Sequence, residues 1–301
     1  TRGDSPAASP GLLTATADGS IYIDEPRPLS ALFIRNVHGG GDVELSAWGD
    51  IVDWVDLEDP SDPDSAELAS PDTLPRADVT GVSVALFSDF GRIGAPGNPI
   101  DVDTDAAAGG VFSAASGRNL YVVEVEGDMR LGTVELTGSG GTDAAFLVAP
   151  TGSVLAGEPR APADRNLIGP NFYLVAAQAI GGPEAAVLGR VDVLQTRSVR
   201  GATHFDNDGA LEIDDFAVGA LTVSPFADPT AVGQIAGGDI VISASSPITV
   251  SADQTSTSAP APGVTTSGGD ITVTAGDGAD PDADFVLIVG GVVVSADSGS
   301  V

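Results

Sequence analysis

Lysine and cysteine are both missing from the 301 residues, methionine occurs once, at Met129, and there are only two histidines and two tryptophans. Each shortage excludes something. Without cysteine there is no disulfide framework, no thiolate nucleophile and no Cys-ligated zinc or iron–sulfur site, so stability has to come from packing. His38 and His204 lie far apart in the chain and neither sits in a nucleophile motif, which argues against a Ser-His-Asp centre. No apolar run reaches the ~18 residues that a membrane-spanning helix needs. Strong helix formers are scarce as well. All 12 basic residues are Arg, and the acids divide into 33 Asp and only 10 Glu.

What is abundant points to strands joined by turns: 39 Gly, 21 Pro and many Val, Ile and Thr. Hydrophobic residues make up 42% of the chain, enough for a core, so a formal charge of −31 does not imply disorder. That charge disfavours partners that are themselves anionic, nucleic acid and acidic membrane among them. The chain begins at Thr1 with no leader sequence and stops at Val301 after a strand-like run, and it reads as a piece of something longer.

A heptad recurs three times, as Gly41-Asp-Val-Glu-Leu-Ser-Ala47, Gly238-Asp-Ile-Val-Ile-Ser-Ala244 and Gly269-Asp-Ile-Thr-Val-Thr-Ala275, each preceded by another glycine. A Gly-Gly-Asp turn followed by alternating aliphatic and small polar residues predicts a tight turn feeding a short strand. Related strands begin at Ile248, Ile271 and Val292, spaced by 23 and 21 residues, close to the length of one coil of a parallel β-helix. The spacing predicts coils of about 20 to 25 residues, roughly a dozen of them, and a rod on the order of 60 Å long. A β-sandwich array is the competing architecture. Against it stand the shortness of the strands, the small size of the inward candidates and the lack of a regularly spaced core Trp.

These strands, together with Gly91-Arg-Ile-Gly-Ala-Pro-Gly-Asn-Pro-Ile-Asp-Val102, residues 119–132 and Asp208-Gly-Ala-Leu-Glu-Ile213, resemble filamentous-haemagglutinin-type repeats of very large bacterial surface and secreted proteins. The likeness runs from about residue 12 to the end. It implies an all-β, right-handed parallel β-helix with side loops, a setting outside the cell or on the bacterial surface, and an adhesive or structural role. Residues 1–11 are expected to be a flexible segment and 12–301 a single solenoid domain. Lateral insertions are expected near 57–78, 156–170 and 254–267, where proline and polar residues break the strand pattern.

Residues 204–215 match the spacing of a calcium loop, with Asp206, Asp208, Gly209, Glu212 and Asp215 at positions 3, 5, 6, 9 and 12, but His204 stands at position 1 and no helices flank it. The simpler reading is a polar turn entering a strand. No cofactor is required by the sequence, and Ca²⁺ is the one ion it suggests. Asp101, Asp103 and Asp105, and the group Asp277, Asp280, Asp282 and Asp284, read as solvated surface acid. Arg2-Gly3-Asp4 carries the tripeptide of an integrin-recognition loop, a short pattern that also arises by chance. Gly39-Gly40-Gly41 precedes a strand instead of a helix and is not a phosphate cradle.

The sequence therefore favours a non-catalytic structural or adhesive segment, a stiff rod that displays acidic loops. Its partners would be neighbouring coils or copies of itself stacked head to tail, with a cell-surface or polysaccharide ligand as a further candidate. The alternative is a carbohydrate-active β-helix enzyme, a polysaccharide lyase or glycosidase working through carboxylates, with Asp192, Arg197 and Arg200 as candidate groups. Trp48 and Trp54 flank a strand-like run, where packing is favoured over sugar stacking.

Overall fold

In the computed structural model the described residues are 12–27, 31–54, 77–138, 140–157, 164–213, 234–236, 238–251, 262–266, 269–276, 284–288, 293–296 and 300–301. Among them the chain is all β, apart from one short helical turn at Ala106–Ala108. Every pairing between named strands is parallel, which excludes a sandwich built from antiparallel hairpins. The fold is a parallel β-helix. The alternation predicted for the Gly-Gly-Asp heptads is present: in Val43–Ala47 and Ile240–Ala244, the first, third and fifth residues are buried and point inward.

Three walls succeed one another around the axis. The first is built from β2 (Ile21–Glu25), β4 (Val43–Ala47), β7 (Val84–Ser88), β9 (Phe112–Ser116), β11 (Met129–Leu136), β13 (Val154–Ala156), β16 (Thr203–Asn207), β19 (Ile240–Ala244) and β22 (Ile271–Ala275). On the second lie β5 (Ile51–Asp53), β17 (Leu211–Ile213), β20 (Ile248–Val250) and β23 (Val286–Ile288). The third holds β6 (Val79–Gly81), β8 (Ile100–Thr104), β18 (Gln234–Ala236), β21 (Pro262–Thr266) and β24 (Val293–Ala296). Longer strands run across the second and third walls together: β1 (Leu12–Ala17) and β3 (Leu32–Gly39), then β10 (Leu120–Glu124), β12 (Ala144–Ala149), β14 (Leu167–Ala176) and β15 (Val187–Ser198), of which β14 and β15 also reach the first wall, where they pair with β11 and β16.

One inward column can be followed residue by residue: Leu32, Ile51, Ile93, Leu120, Ala145, Phe172, Leu194, Ile213, Val250 and Ile288, each in register with the next. With β1 beneath β3, this makes eleven levels, and at about 4.8 Å per level a rod about 50 Å long. The core is the stack of such columns, and side chains as large as Phe112, Phe172 and Phe205 are fully enclosed in it. On the long strands the outward rows are apolar too. Val123, Val148 and Val175 form one buried cluster, and Tyr121, Ala144 and Phe146 another.

The structure corrects the predicted repeat in one respect. The heptads at 238 and 269 do stack, Ile240 on Ile271 and Ala244 on Ala275. The strands at 248, 271 and 292 do not: Ile248 stacks on Val286, Ile271 lies on the first wall and Val293 on the third. Successive walls use the same inward alternation and turn chemistry, so the likeness recurs from wall to wall within a coil as well as from coil to coil. True coil lengths vary from 18 residues, Val187 to Phe205, to 42, Val37 to Val79. Of the lateral segments, 55–76, 158–163 and 252–261 lie outside the described residues, whereas Leu167–Pro170 and Pro262–Thr266 belong to strands.

At the amino end, β1 and β2 pair only with β3 and β4, and at the carboxyl end β22, β23 and β24 pair only with β19, β20 and β21, among the described strands. Residues Phe285 to Ile288, at the second of these edges, are each 40 to 50% exposed.

Candidate functional site

The corners between walls are where side chains leave the regular ladder, and two of them form grooves. Where the third wall turns into the first, Thr80 and Asp103 follow His38 in one outward column. They line a groove of about 500 Å³ with Gly39, Asp105 and Glu126. Burial pushes the Asp103 carboxyl above its ordinary value, the neighbouring charges of Glu126 and Asp105 push it further, and His38 opposes them. Behind this groove Glu124 points into the core, fully buried, and accepts from the Thr104 backbone N–H at 2.8 Å and the Thr104 hydroxyl at 2.8 Å. Desolvation outweighs both bonds and raises its pKa to about 8, so the group is protonated at neutral pH.

Where the first wall turns into the second, three successive levels bring Trp48, Phe90 and Arg118 to one corner, and Asp50 and Arg92 beside them. The Trp48 and Phe90 rings lie 4.6 Å apart at 38°. The Arg92 backbone N–H donates to Asp50 Oδ1 at 3.0 Å while its guanidinium Nε sits 3.5 Å from Oδ2. Beneath them the turns are fixed by buried serines: the Ser88 hydroxyl donates to Gly49 C=O at 2.8 Å and accepts from Gly91 N–H, and the Ser116 hydroxyl donates to Gly91 C=O. A Cβ on Gly91 would lie 2.4 Å from the Asp50 nitrogen, so only glycine lets these levels approach.

The residues of the calcium-like loop point to different neighbours. Asp206 accepts from the Ser243 hydroxyl at 2.9 Å, Glu212 from the Ser251 hydroxyl at 2.7 Å, and Asp208 pairs with Arg165 at 3.1 Å and Arg190 at 3.6 Å. Between them Asn207 turns inward, its side-chain amide donating to Val191, Gly209 and Ala210 carbonyls and its oxygen accepting from Val191 N–H. His204 is half-buried on β16, and burial lowers its pKa. Asp215, like Arg2, Gly3 and Asp4, lies outside the described residues. Among the described residues no three acidic or histidine side chains gather closely enough to hold a metal ion.

The enzyme candidates are not brought together either. Asp192 and Arg197 are five residues apart on one extended strand, a span of about 16 Å, and Arg200 follows in the next turn. Of the acids read as solvated surface acid, Asp105 is exposed and Asp103 half-buried, but Asp101 is buried, its backbone N–H donating to Asp78 Oδ2 at 2.8 Å. Trp54 stands edge-on to Phe33 at 5.7 Å. Sequence reasoning missed Phe90, Arg92 and Arg118. The available signal was that the segments Ala47-Trp-Gly-Asp50, Ser88-Asp-Phe-Gly-Arg92 and Ser116-Gly-Arg118 each end a first-wall strand with glycine and a charged residue.

No family model matches the chain, and no curated protein or solved structure matches it.

Proposed function

We propose that this chain is a non-catalytic structural segment of a large extracellular bacterial protein, a stiff β-solenoid rod whose ends are covered by further coils, supplied head to tail by another copy. The observation that carries this reading is the pair of open end faces. Among the described strands each presents edges that no further strand covers, apart from the bond from Ile271 N–H to the Ser300 carbonyl, with aliphatic inward residues Leu13, Ile21 and Ile23 at one end and Ile271, Val273 and Val294 at the other. Edges of this kind are templates for strand addition, and a heterologous contact between unlike ends does not close on itself. The acidic surface is consistent with a rod that stays apart from its neighbours sideways and joins them only end-on. Sedimentation over a range of concentrations tests this: growth into longer species supports it, and a constant monomer at high concentration contradicts it.

The acidic groove favours a second reading, a carbohydrate-active site in which Asp103 serves as the proton-holding carboxyl. Turnover of a polysaccharide that disappears in Asp103→Asn would establish it. No turnover across neutral and acidic polysaccharides would remove it.

A further inference from the structure

We propose that the corner formed by Trp48, Phe90, Asp50, Arg92 and Arg118 binds a saccharide bearing a single carboxylate, a sugar acid, on the outside of the rod. The corner encloses about 390 Å³, room for one or two pyranose rings. Phe90 is 61% exposed although the rod has an aliphatic core available, so the ring is held outward. Its contact with Trp48 builds a tilted aromatic surface, which suits the apolar C–H face of a pyranose ring. The polar groups around it are of two kinds. Asp50 and Arg92 already hold one another and present a carboxylate oxygen and guanidinium N–H groups, the pair that sugar hydroxyls need as acceptor and donors. Arg118 is exposed and, among the described residues, has no ion-pair partner.

That placement is informative in a chain carrying 43 acids and 12 arginines. Two of the few cations converge on the corner that has the exposed aromatic ring, and one of them is left for a ligand. A guanidinium binds a carboxylate bidentately, so the free cation selects an acid over its neutral counterpart. The net charge of −31 limits the length of that acid. Screening falls off over about 8 Å at physiological ionic strength, so a single carboxylate at Arg118 feels mainly the local cations, whereas a polyanion running along the rod meets its acidic surface. The corner is also rigid, because the buried Ser88 and Ser116 hydroxyls tie its three levels together. The site rests on this local geometry alone and does not depend on whether rods associate.

Titration of the full chain with a disaccharide ending in one glucuronate, with its neutral glucose counterpart and with polygalacturonate tests the proposal, followed by calorimetry and by the Trp48 fluorescence of a Trp54→Phe background. The glucuronate disaccharide is expected to bind about tenfold more tightly than the neutral one, with polygalacturonate weakest at low salt. Arg118→Gln should bring the two disaccharides to equal affinity, and Phe90→Ala should abolish binding of both with an unchanged circular dichroism spectrum. Equal affinity of the two disaccharides for the unaltered chain, a preference that survives Arg118→Gln, or no binding of either in the millimolar range would overturn it.

Discussion

Glu124 is the residue whose surroundings conflict most with its chemistry. It occupies the inward column that Val79 and Val102 fill at the levels below, and its partner Thr104 supplies two hydrogen bonds without a countercharge. Its folded pKa of about 8 lies well above the 4.5 of an ordinary glutamate. The folded state therefore holds a proton that the unfolded chain releases, and the stabilisation from this group is full below the unfolded value and lost as pH rises towards 8. Glu124→Gln, which mimics the protonated carboxyl, should raise stability at pH 8 by on the order of 3 kcal/mol and leave it nearly unchanged at pH 4. Chemical denaturation of both proteins across this range checks the sign, and a difference that does not vary with pH would refute the assignment. At the surface the scale is smaller. Asp208→Asn breaks exposed pairs with Arg165 and Arg190 and should cost about 0.5 kcal/mol, the same with calcium or with a chelator present. None of this was legible in the sequence. Glu124 sits in an alternating run like any other, and Asp50 meets Arg92 from 42 positions away only once the coils stack.

At the scale of the element, the legible feature was the turn-plus-strand unit. Gly-Gly-Asp followed by Ile-x-Ile-Ser-Ala specifies a turn and an inward triplet, and Ile240, Ile242 and Ala244 fill those places. Which wall a strand joins was not legible, because β19, β20 and β22 present the same inward residue types and differ only in the lengths of the links between them. Core truncation should follow the cavity rule: Phe112→Ala, in a fully enclosed column, is expected to lose about 3 to 5 kcal/mol in equilibrium unfolding. At the open edge the backbone decides instead. Ile271 donates to the Ser300 carbonyl, and alternate residues of a parallel strand face the same side, so the Val273 N–H is directed at the face that no described strand covers. Val273→Pro removes that donor and should suppress end-on association while the cooperative melt of the monomer is retained. Undiminished association of this variant in sedimentation would show that the edge of β22 is not the contact.

For the whole molecule, the fold class was legible and the dimensions nearly so. The expected dozen coils over about 60 Å become eleven levels over about 50 Å, because insertions lengthen many coils beyond the repeat read from the strands. The −31 charge, which at first bears on disorder, belongs to a chain whose inward columns are continuous and, Glu124 apart, largely apolar. Self-repulsion on that scale should make end-on association grow with ionic strength, the reverse of an assembly held by ion pairs. The most direct test of the central claim is electron microscopy of the protein at rising concentration in moderate salt. Narrow rods about 50 Å long with a layer spacing of about 4.8 Å, joined into lengths that are multiples of the single rod, are expected. Compact particles of one size at every concentration, without that spacing, would contradict it.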